Sequence, residues 1–579
     1  MLKILSQHFS KNKSLYLAIL VGSLAWSLVM VKSGIGYDFG LGFWGPNGHD
    51  GIWHIALAKS FSRTLTLDNP VFAGEVLKNY HLGFDLLMAT IHKLTSIPIN
   101  TLYFQILPVI FSILIGWLVY VFMNLWKRSR REIFWTLVFV YFGSGFGFVI
   151  TLLRDGIVSG ESMFWSQQAM STLVNPPFAL SLIFILAGLV FLLKYKKSQN
   201  LRNLIISSLL FGLLIQVKVY AGILVLGGLF VSGIYLYIKS KKTYILQTFF
   251  YSLLISLLVF LPFNRLSGGV LVWQPFWFLE TMMSYSDRLG WERFYSAMTT
   301  YKMGKIWLKS VPTYGVAFVI FLVGNMGARI IGFYYLLKVI CKKIKLDEFL
   351  VFLISIMIAA VIIPMFFVQS GTPWNTIQFF YYFLFIFCFF AGISTSQIIK
   401  KVKPVMKITT TLLVLLLAFY GVVATLVHYL PSTPPSKISS DEYEALEFLS
   451  EQPGGVVLTY PFDKYKSRQA AAYAPRPMYL YESTSYVSAY SDKEVFLEDE
   501  VNANILGYDW QDRREEVLEF ISNLDEQKGR DFLENNKIRY LYLVRSISPL
   551  PGEELKLGTK QLGLEKIYGN LVVSVYRVE

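Results

Sequence analysis

The chain has 579 residues, 54% of them apolar and 16% charged, with a mean hydropathy of +0.49. An ordinary soluble domain carries about 25% charged residues. The deficit is uneven: residues 1–430 hold 13 acids and 36 Lys or Arg, whereas residues 431–579 hold 25 acids and 17 Lys or Arg. A soluble enzyme, a nucleic-acid binder and a disordered chain all fit poorly. A multi-pass membrane protein with an acidic soluble C-terminal domain fits well.

A bilayer core takes about 20 apolar residues as a helix. Eleven stretches qualify: 15–31, 102–126, 133–153, 176–193, 203–217, 219–238, 244–264, 313–337, 348–368, 377–399 and 408–430. Lys and Arg collect at cytoplasmic ends. With the N-terminus inside, the cytoplasmic segments gather 22 basic residues, including the KRSRR run at 127–131, against Glu132, Asp347 and Glu348. The basic balance therefore reports membrane orientation, needs no nucleic acid to explain it, and places the C-terminus outside. No small-residue cleavage site follows Val31, so the first apolar run reads as an uncleaved span. The two cysteines, Cys341 at a cytoplasmic helix end and Cys388 inside a span, leave the external regions without a disulfide.

Residues 81–97, HLGFDLLMATIHKLTSI, contain Asp85, His92 and Lys93. An Asp at mid-membrane costs about 2.5–3.5 kcal/mol, so this segment is not a span. As a helix it puts His81, Asp85 and His92 along one polar stripe, the pattern of an amphipathic helix lying in the outer interface. The first external loop then runs from 33 to 101. After the Pro-rich linker PSTPPSK (431–437), Ser439 and Glu442 form a capping box opening a helix to about 451. VVLTYP (456–461) and IRYLYLV (538–544) read as strands, 511–524 and 529–536 as helices, and LEKIY with LVVSVYRV as a hairpin across Gly569–Asn570. The tyrosine-rich stretch with Tyr473, Tyr479, Tyr481, Tyr486 and Tyr490 reads as strand core. The fold class is thus an all-α polytopic bundle (1–430) followed by an extracytoplasmic α/β domain (438–579).

Coupled transporters line their pathway with ionisable groups. Here the span interiors contain one, Arg329, suited to helix packing or to a lipid phosphate. Chemistry-bearing residues gather outside instead: four of six histidines lie in the first external loop, and eight of thirteen tryptophans lie in external segments. An interfacial aromatic belt accounts for part of that. The string GPNGHDGIWHIALAKSF (45–61) is the most informative. A helix starting near Gly48–Asp50 puts Asp50 and His54 on one face, with Ile52, Ile55 and Ala56 on another, toward lipid or bundle. A carboxylate there can act as a general base, or merely as an N-cap. A divalent-metal site built from Asp50 and His54, with or without His81, is the minority reading, since no HExxH or Cys-based spacing supports it, and no cofactor is otherwise indicated.

At these residues the chain resembles the GT-C superfold of membrane glycosyltransferases, such as protein O-mannosyltransferases and the bacterial enzymes that move aminoarabinose from polyprenyl phosphates. The resemblance covers roughly residues 1–400. It rests on an acid after the first span (Asp50), a second amphipathic helix (NYHLGFDLLMATIHKLTSI), LVNPPFALSL (173–182) at an Asp-Pro-like span start, and GLLIQVKVYAGILVL (212–226) at a Gly…Lys turn. It departs from the family at His49–Asp50, where Asp-Glu is frequent, at Asn175 in place of Asp, and at Tyr80–His81 in place of Pro-Pro. Fewer carboxylates weigh against a metal-dependent variant.

The resemblance implies a polyprenyl-phosphate sugar donor, an extracytoplasmic glycan, lipid or protein acceptor, and a prokaryotic plasma membrane. It implies an inverting transfer with Asp50 as base and Lys218, Arg288 and Arg293 (with Arg265 nearby) on the donor phosphate. His49, Trp53, His54, His81, Asp85, Gln168 and Asn175 would support the base or bind sugar, with His54 or His81 orienting Asp50. Gln167 is a further sugar-binding candidate. The rival expectation is a non-catalytic protein that binds or translocates lipid-linked glycans.

Overall fold

The computed structural model describes residues 2–64, 66–264, 271–522, 525–545 and 562–579, with side chains from residue 12 onward. The chain divides into two compact units, Met1–Val29 with Pro108–Tyr429, and Met30–Leu107 with Leu430–Glu579.

The first unit is a bundle of apolar helices, and each of the eleven predicted stretches falls on helix. Among the described residues, eight helices, two of them shared with the second unit, are long and apolar enough to cross a membrane, making this a multi-pass membrane protein. The predicted span 133–153 is broken: Arg130–Phe142 and Gly147–Asp155 meet at a 45° bend. Two glycines explain the break. A Cβ on Gly145 would stand 2.6 Å from the Gly324 carbonyl, and one on Gly147 would stand 1.8 Å from the Gly160 carbonyl. The freed Phe146 amide donates to that same Gly324 carbonyl at 2.7 Å. Leu201–Val217 and Tyr244–Phe260 have 17 residues each. At 1.5 Å per residue they are about 26 Å long against a hydrocarbon core of about 30 Å.

Helix ends follow their local sequence. Ser129 and Glu132 form a capping box, Asp347 caps Glu348–Phe366 by accepting from Leu350 N at 2.7 Å, and Asn175 caps Pro176–Ser198 by accepting from Phe178 N at 3.1 Å. Trp307–Met326 ends at Gly327 (φ +52°), and a 3-10 turn to Gly332 carries Arg329. Of the eight tryptophans the sequence reading puts in external segments, Trp273, Trp291, Trp307 and Trp374 are exposed, whereas Trp44 and Trp53 are buried.

The second unit joins two parts of the chain that the sequence places in separate domains. A four-stranded sheet runs Ile35–Tyr37, Gly40–Phe43, Ser436–Ile438, Arg476–Pro477, so the end of the Pro-rich linker is itself a strand. A second sheet pairs Val456–Thr459 parallel to Ile538–Val544, which lies antiparallel to Val573–Val578 and through it to the hairpin partner Leu564–Gly569. The capping box at Ser439 and Glu442 is present and opens Ser440–Glu451. Residues 70–76 are stitched to 495–513 by the bonds Val495 N to Pro70 O (2.9 Å) and Tyr508 OH to Val76 O (2.7 Å), and by Arg513 stacked on Phe72 and Phe496.

Three local readings are corrected. The helix Asp50–Arg63 is buried along nearly its whole length and packs against Gly83–Thr95 and Tyr486–Ser491, so Ile52, Ile55 and Ala56 are not exposed to lipid. The Gly83–Thr95 helix turns its polar stripe inward: Asp85 is fully buried, His81 precedes the helix, and Leu86 and Leu94 face outward. The tyrosine-rich stretch forms the short helices Met478–Tyr481 and Tyr486–Ser491 instead of strand core, because its apolar residues do not alternate.

Candidate functional site

Asp50 owes its position to the segment before it. Pro46 opens a single 3-10 turn, Gly45–Gly48, and His49 N donates to Pro46 O at 2.9 Å. Ser33 Oγ accepts from Trp44 N and from Asn47 Nδ2, both at 3.0 Å, which pins the turn. Gly48 is required here, since a Cβ would sit 2.3 Å from Ser436 Oγ. The N-cap of Asp50–Arg63 is His49, and its side chain makes no capping bond. Asp50 is therefore the first helical residue and not the cap. A carboxylate at that position is favoured by the helix dipole.

The Asp50 side chain is 53% exposed, and its Oδ1 lies 3.0 Å from His49 Nδ1. The other nitrogen of that imidazole, Nε2, lies 3.4 Å from Oδ1 of Asp499, whose side chain is fully buried. Burial alone would push His49 down, but Asp499 and Asp50 outweigh it and hold the imidazole well above its usual range. Glu482 also belongs to this cluster. Burial raises its carboxyl, opposed by His49 and reinforced by Asp50 and Asp499.

One turn along the helix, His54 Nδ1 meets Asp85 Oδ1 at 2.7 Å, with both side chains buried. Tyr103 stacks on His54 at 5.7 Å, Phe84 meets its edge at 5.4 Å, and Trp53 packs edge-on to Tyr80, which in turn contacts His81. The imidazole that meets Asp50 is thus His49, while His54 is held by Asp85. Asp499 and Glu482 escaped the sequence reading because 450 residues separate Asp499 from His49 and the run LEDEVN carries no motif. Among the described residues no group of three or more His, Cys, Asp or Glu has metal-holding geometry.

In the first unit, Lys218 breaks the chain between Leu201–Val217 and Val219–Ser240. It is buried, and its Nζ donates to Asn175 Oδ1 at 3.4 Å. Asn175 Nδ2 donates in turn to Gln378 Oε1 at 3.4 Å. Two residues singled out separately in the sequence therefore meet. Arg288 stacks on Trp165, 4.3 Å from the ring centroid, with Nη1 3.5 Å from Ser162 Oγ. Arg293 lies exposed on the helix Glu292–Met303, and Arg265 lies outside the described residues.

Gln168 is bonded within the helical unit. Its Oε1 accepts from buried Arg329, and its backbone N donates to Glu161 Oε1 at 2.6 Å. Arg329 also donates to Asn325 O (2.8 Å) and Met326 O (3.1 Å). Gln167 donates to Tyr429 OH at 3.5 Å, and that hydroxyl donates to Glu161 Oε2 at 3.3 Å. A cavity of about 30 Å³ lies among Gln167, Gln168, Thr172, Arg329, Tyr381 and Cys388, room for a water molecule or two. These polar groups are internally satisfied and hold the helices together.

No family model matches the sequence, and no curated protein is significantly similar to it. Solved structures do match. The Archaeoglobus fulgidus oligosaccharyltransferase tethered with an acceptor peptide superposes with a TM-score of 0.51 at 11% identity, over 93% of this chain and 69% of that one. The mycobacterial arabinofuranosyltransferase AftD gives 0.49 at 12% identity, over 98% of this chain and 40% of that one. ArnT from Cupriavidus metallidurans gives 0.38 at 10% identity, over 98% of both chains. The likeness to the oligosaccharyltransferase spans both compact units, and the chain has the GT-C fold of that membrane enzyme.

Proposed function

We propose that the protein is a membrane glycosyltransferase that moves a sugar from a polyprenyl-phosphate donor to an acceptor outside the cytoplasm. The observation that carries this reading is Asp50: a half-exposed carboxylate at a helix start, held through one oxygen by His49, in a chain of GT-C fold. In an inverting transfer, Asp50 takes the proton of the acceptor hydroxyl as the acceptor oxygen bonds to the sugar's anomeric carbon. The bond from that carbon to the phosphate oxygen breaks, and the polyprenyl phosphate leaves with the electron pair. Negative charge grows on the leaving phosphate, and preorganised cations stabilise it. Lys218 suits this task as a buried cation where the chain turns between two helices, its ammonium donating to Asn175. Arg288, partly stacked on Trp165, is the second candidate. The eleven-span topology, with the soluble part outside a prokaryotic plasma membrane, is part of the same proposal.

The test is sugar transfer by membranes carrying wild type or Asp50→Asn at matched expression and thermal stability, supplied with labelled polyprenyl-phosphate sugars. Loss of a positioned base is expected to cost about 10²–10⁴ in rate. Equal transfer by both proteins would remove Asp50 from the mechanism. Donor binding by wild type without transfer from any donor would replace the enzyme reading with a lipid-glycan binding one.

A further inference from the structure

Asp499 is built with more care than a helix cap requires. It opens Glu500–Leu506 from a left-handed backbone (φ +50°, ψ +60°), a conformation that a non-glycine residue keeps only when its surroundings impose it. Its Oδ1 accepts from Asn502 N at 3.1 Å, while its Oδ2 accepts from Ser485 Oγ at 2.7 Å and Asn502 Nδ2 at 2.9 Å. The carboxylate is thereby locked, out of water, with Oδ1 turned to His49 Nε2 at 3.4 Å. His49 in turn presents Nδ1 to the exposed Asp50 at 3.0 Å. A lone imidazole beside Asp50 would be free to change tautomer and swing away. One set between two carboxylates has an acid against each nitrogen, at 3.0 and 3.4 Å.

We infer that Asp499 is a positioning residue for sugar transfer, so that the C-terminal part of the chain completes the active centre by fixing His49, which in turn fixes Asp50. This rests on the proposal that Asp50 is the base. The groups facing His49 are Asp50 on its own helix, Asp499 at the start of Glu500–Leu506, and Glu482 between the two short helices, with Arg476 and Tyr481 close to Glu482. Asp499 and Asp50 hold the imidazole well above its usual range against the effect of burial. Removing the Asp499 charge lets it lose a proton at lower pH and frees the Nε2 side of the ring to move.

The experiment uses the full chain in nanodiscs with ¹⁵N-labelled histidine, the His49 signals being assigned by their loss in His49→Gln. Asp499→Asn is the informative variant, since Asn is equally good as an N-cap and tolerates the left-handed backbone. Expected are wild-type affinity for polyprenyl phosphate, a fall in kcat of about 10–100-fold, as when a partner that orients an imidazole is lost, and an alkaline limb of the kcat profile moved to lower pH. The His49 titration should move to lower pH, and in the Asp50→Asn background the substitution should cost almost nothing further.

Unchanged kcat and pH profile in well-folded Asp499→Asn, with Asp50→Asn inactive, overturns this inference and leaves the proposed base intact. Full activity of Asp50→Asn overturns both. Should Asp499→Asn fail to fold, wild type decides alone: His49 still cationic at about pH 7.5, above its free pKa, supports the inference, and His49 neutral there overturns it.

Discussion

The two units treat buried charge differently. In the unit made of the first loop and the C-terminal region, two histidines meet carboxylates: His54 faces Asp85 at 2.7 Å, and His49 sits between Asp50 and Asp499. In the helical unit two buried cations donate to amide oxygens. Lys218 donates to Asn175, and Arg329 donates to Gln168 and two backbone carbonyls. A carboxylate fixes the orientation of the imidazole beside it, and amide oxygens anchor the two cations to the helices around them.

The sharpest way to break the comparison is to remove one member of a direct pair. Asp85→Ala strips His54 of its buried partner and should destabilise the protein by about 3–5 kcal/mol in denaturant unfolding, whereas Asp85→Asn, which keeps an acceptor, should cost less. An effect below 1 kcal/mol would mean that water reaches His54.

A somewhat smaller effect is expected at Glu442, a fully buried carboxyl of the same unit bonded to Ser439 and not to a cation. Burial pushes it up to about 7 from an ordinary 4.5. An acid raised in the folded state holds its proton more tightly folded than unfolded. Stability is therefore greatest at acid pH, falls as pH rises from 4.5 toward 7, and levels off above. Against Glu442→Gln, which removes the titration, the wild type should lose on the order of 3 kcal/mol over that window. Parallel pH curves for the two proteins would contradict the assignment.

The smallest effect belongs to the amide-solvated side. Gln168→Leu removes one of several acceptors from Arg329 and should cost about 2 kcal/mol of stability. A loss matching that of Asp85→Ala would show that Gln168 carries the Arg329 charge almost alone.

Much of this molecule is legible in its sequence because the bilayer writes a strong signal. Long apolar runs, basic helix ends and the Ser439–Glu442 cap depend on neighbours within a few residues, and each appears where expected. The strand 538–544 and the hairpin across Asn570 are equally local. Where the reading failed, the reason was tertiary. The amphipathic pattern at 83–95 told that one face differed from the other, but not which face would be covered; burial of Asp85 against His54 reversed the expected orientation.

Composition, apolar periodicity and local capping determined by themselves that this is a helical membrane protein with a mixed α/β tail and a chemically loaded first loop. They also singled out Asp50, because a helix start next to a histidine is a local pattern. Tertiary structure alone decided that His49 and not His54 meets Asp50, that Asn175 meets Lys218, and that Asp499 stands behind His49. The Asn175–Lys218 and His49–Asp499 contacts join groups 43 and 450 residues apart in the chain, and at such separations a pairing leaves no periodicity or spacing to read.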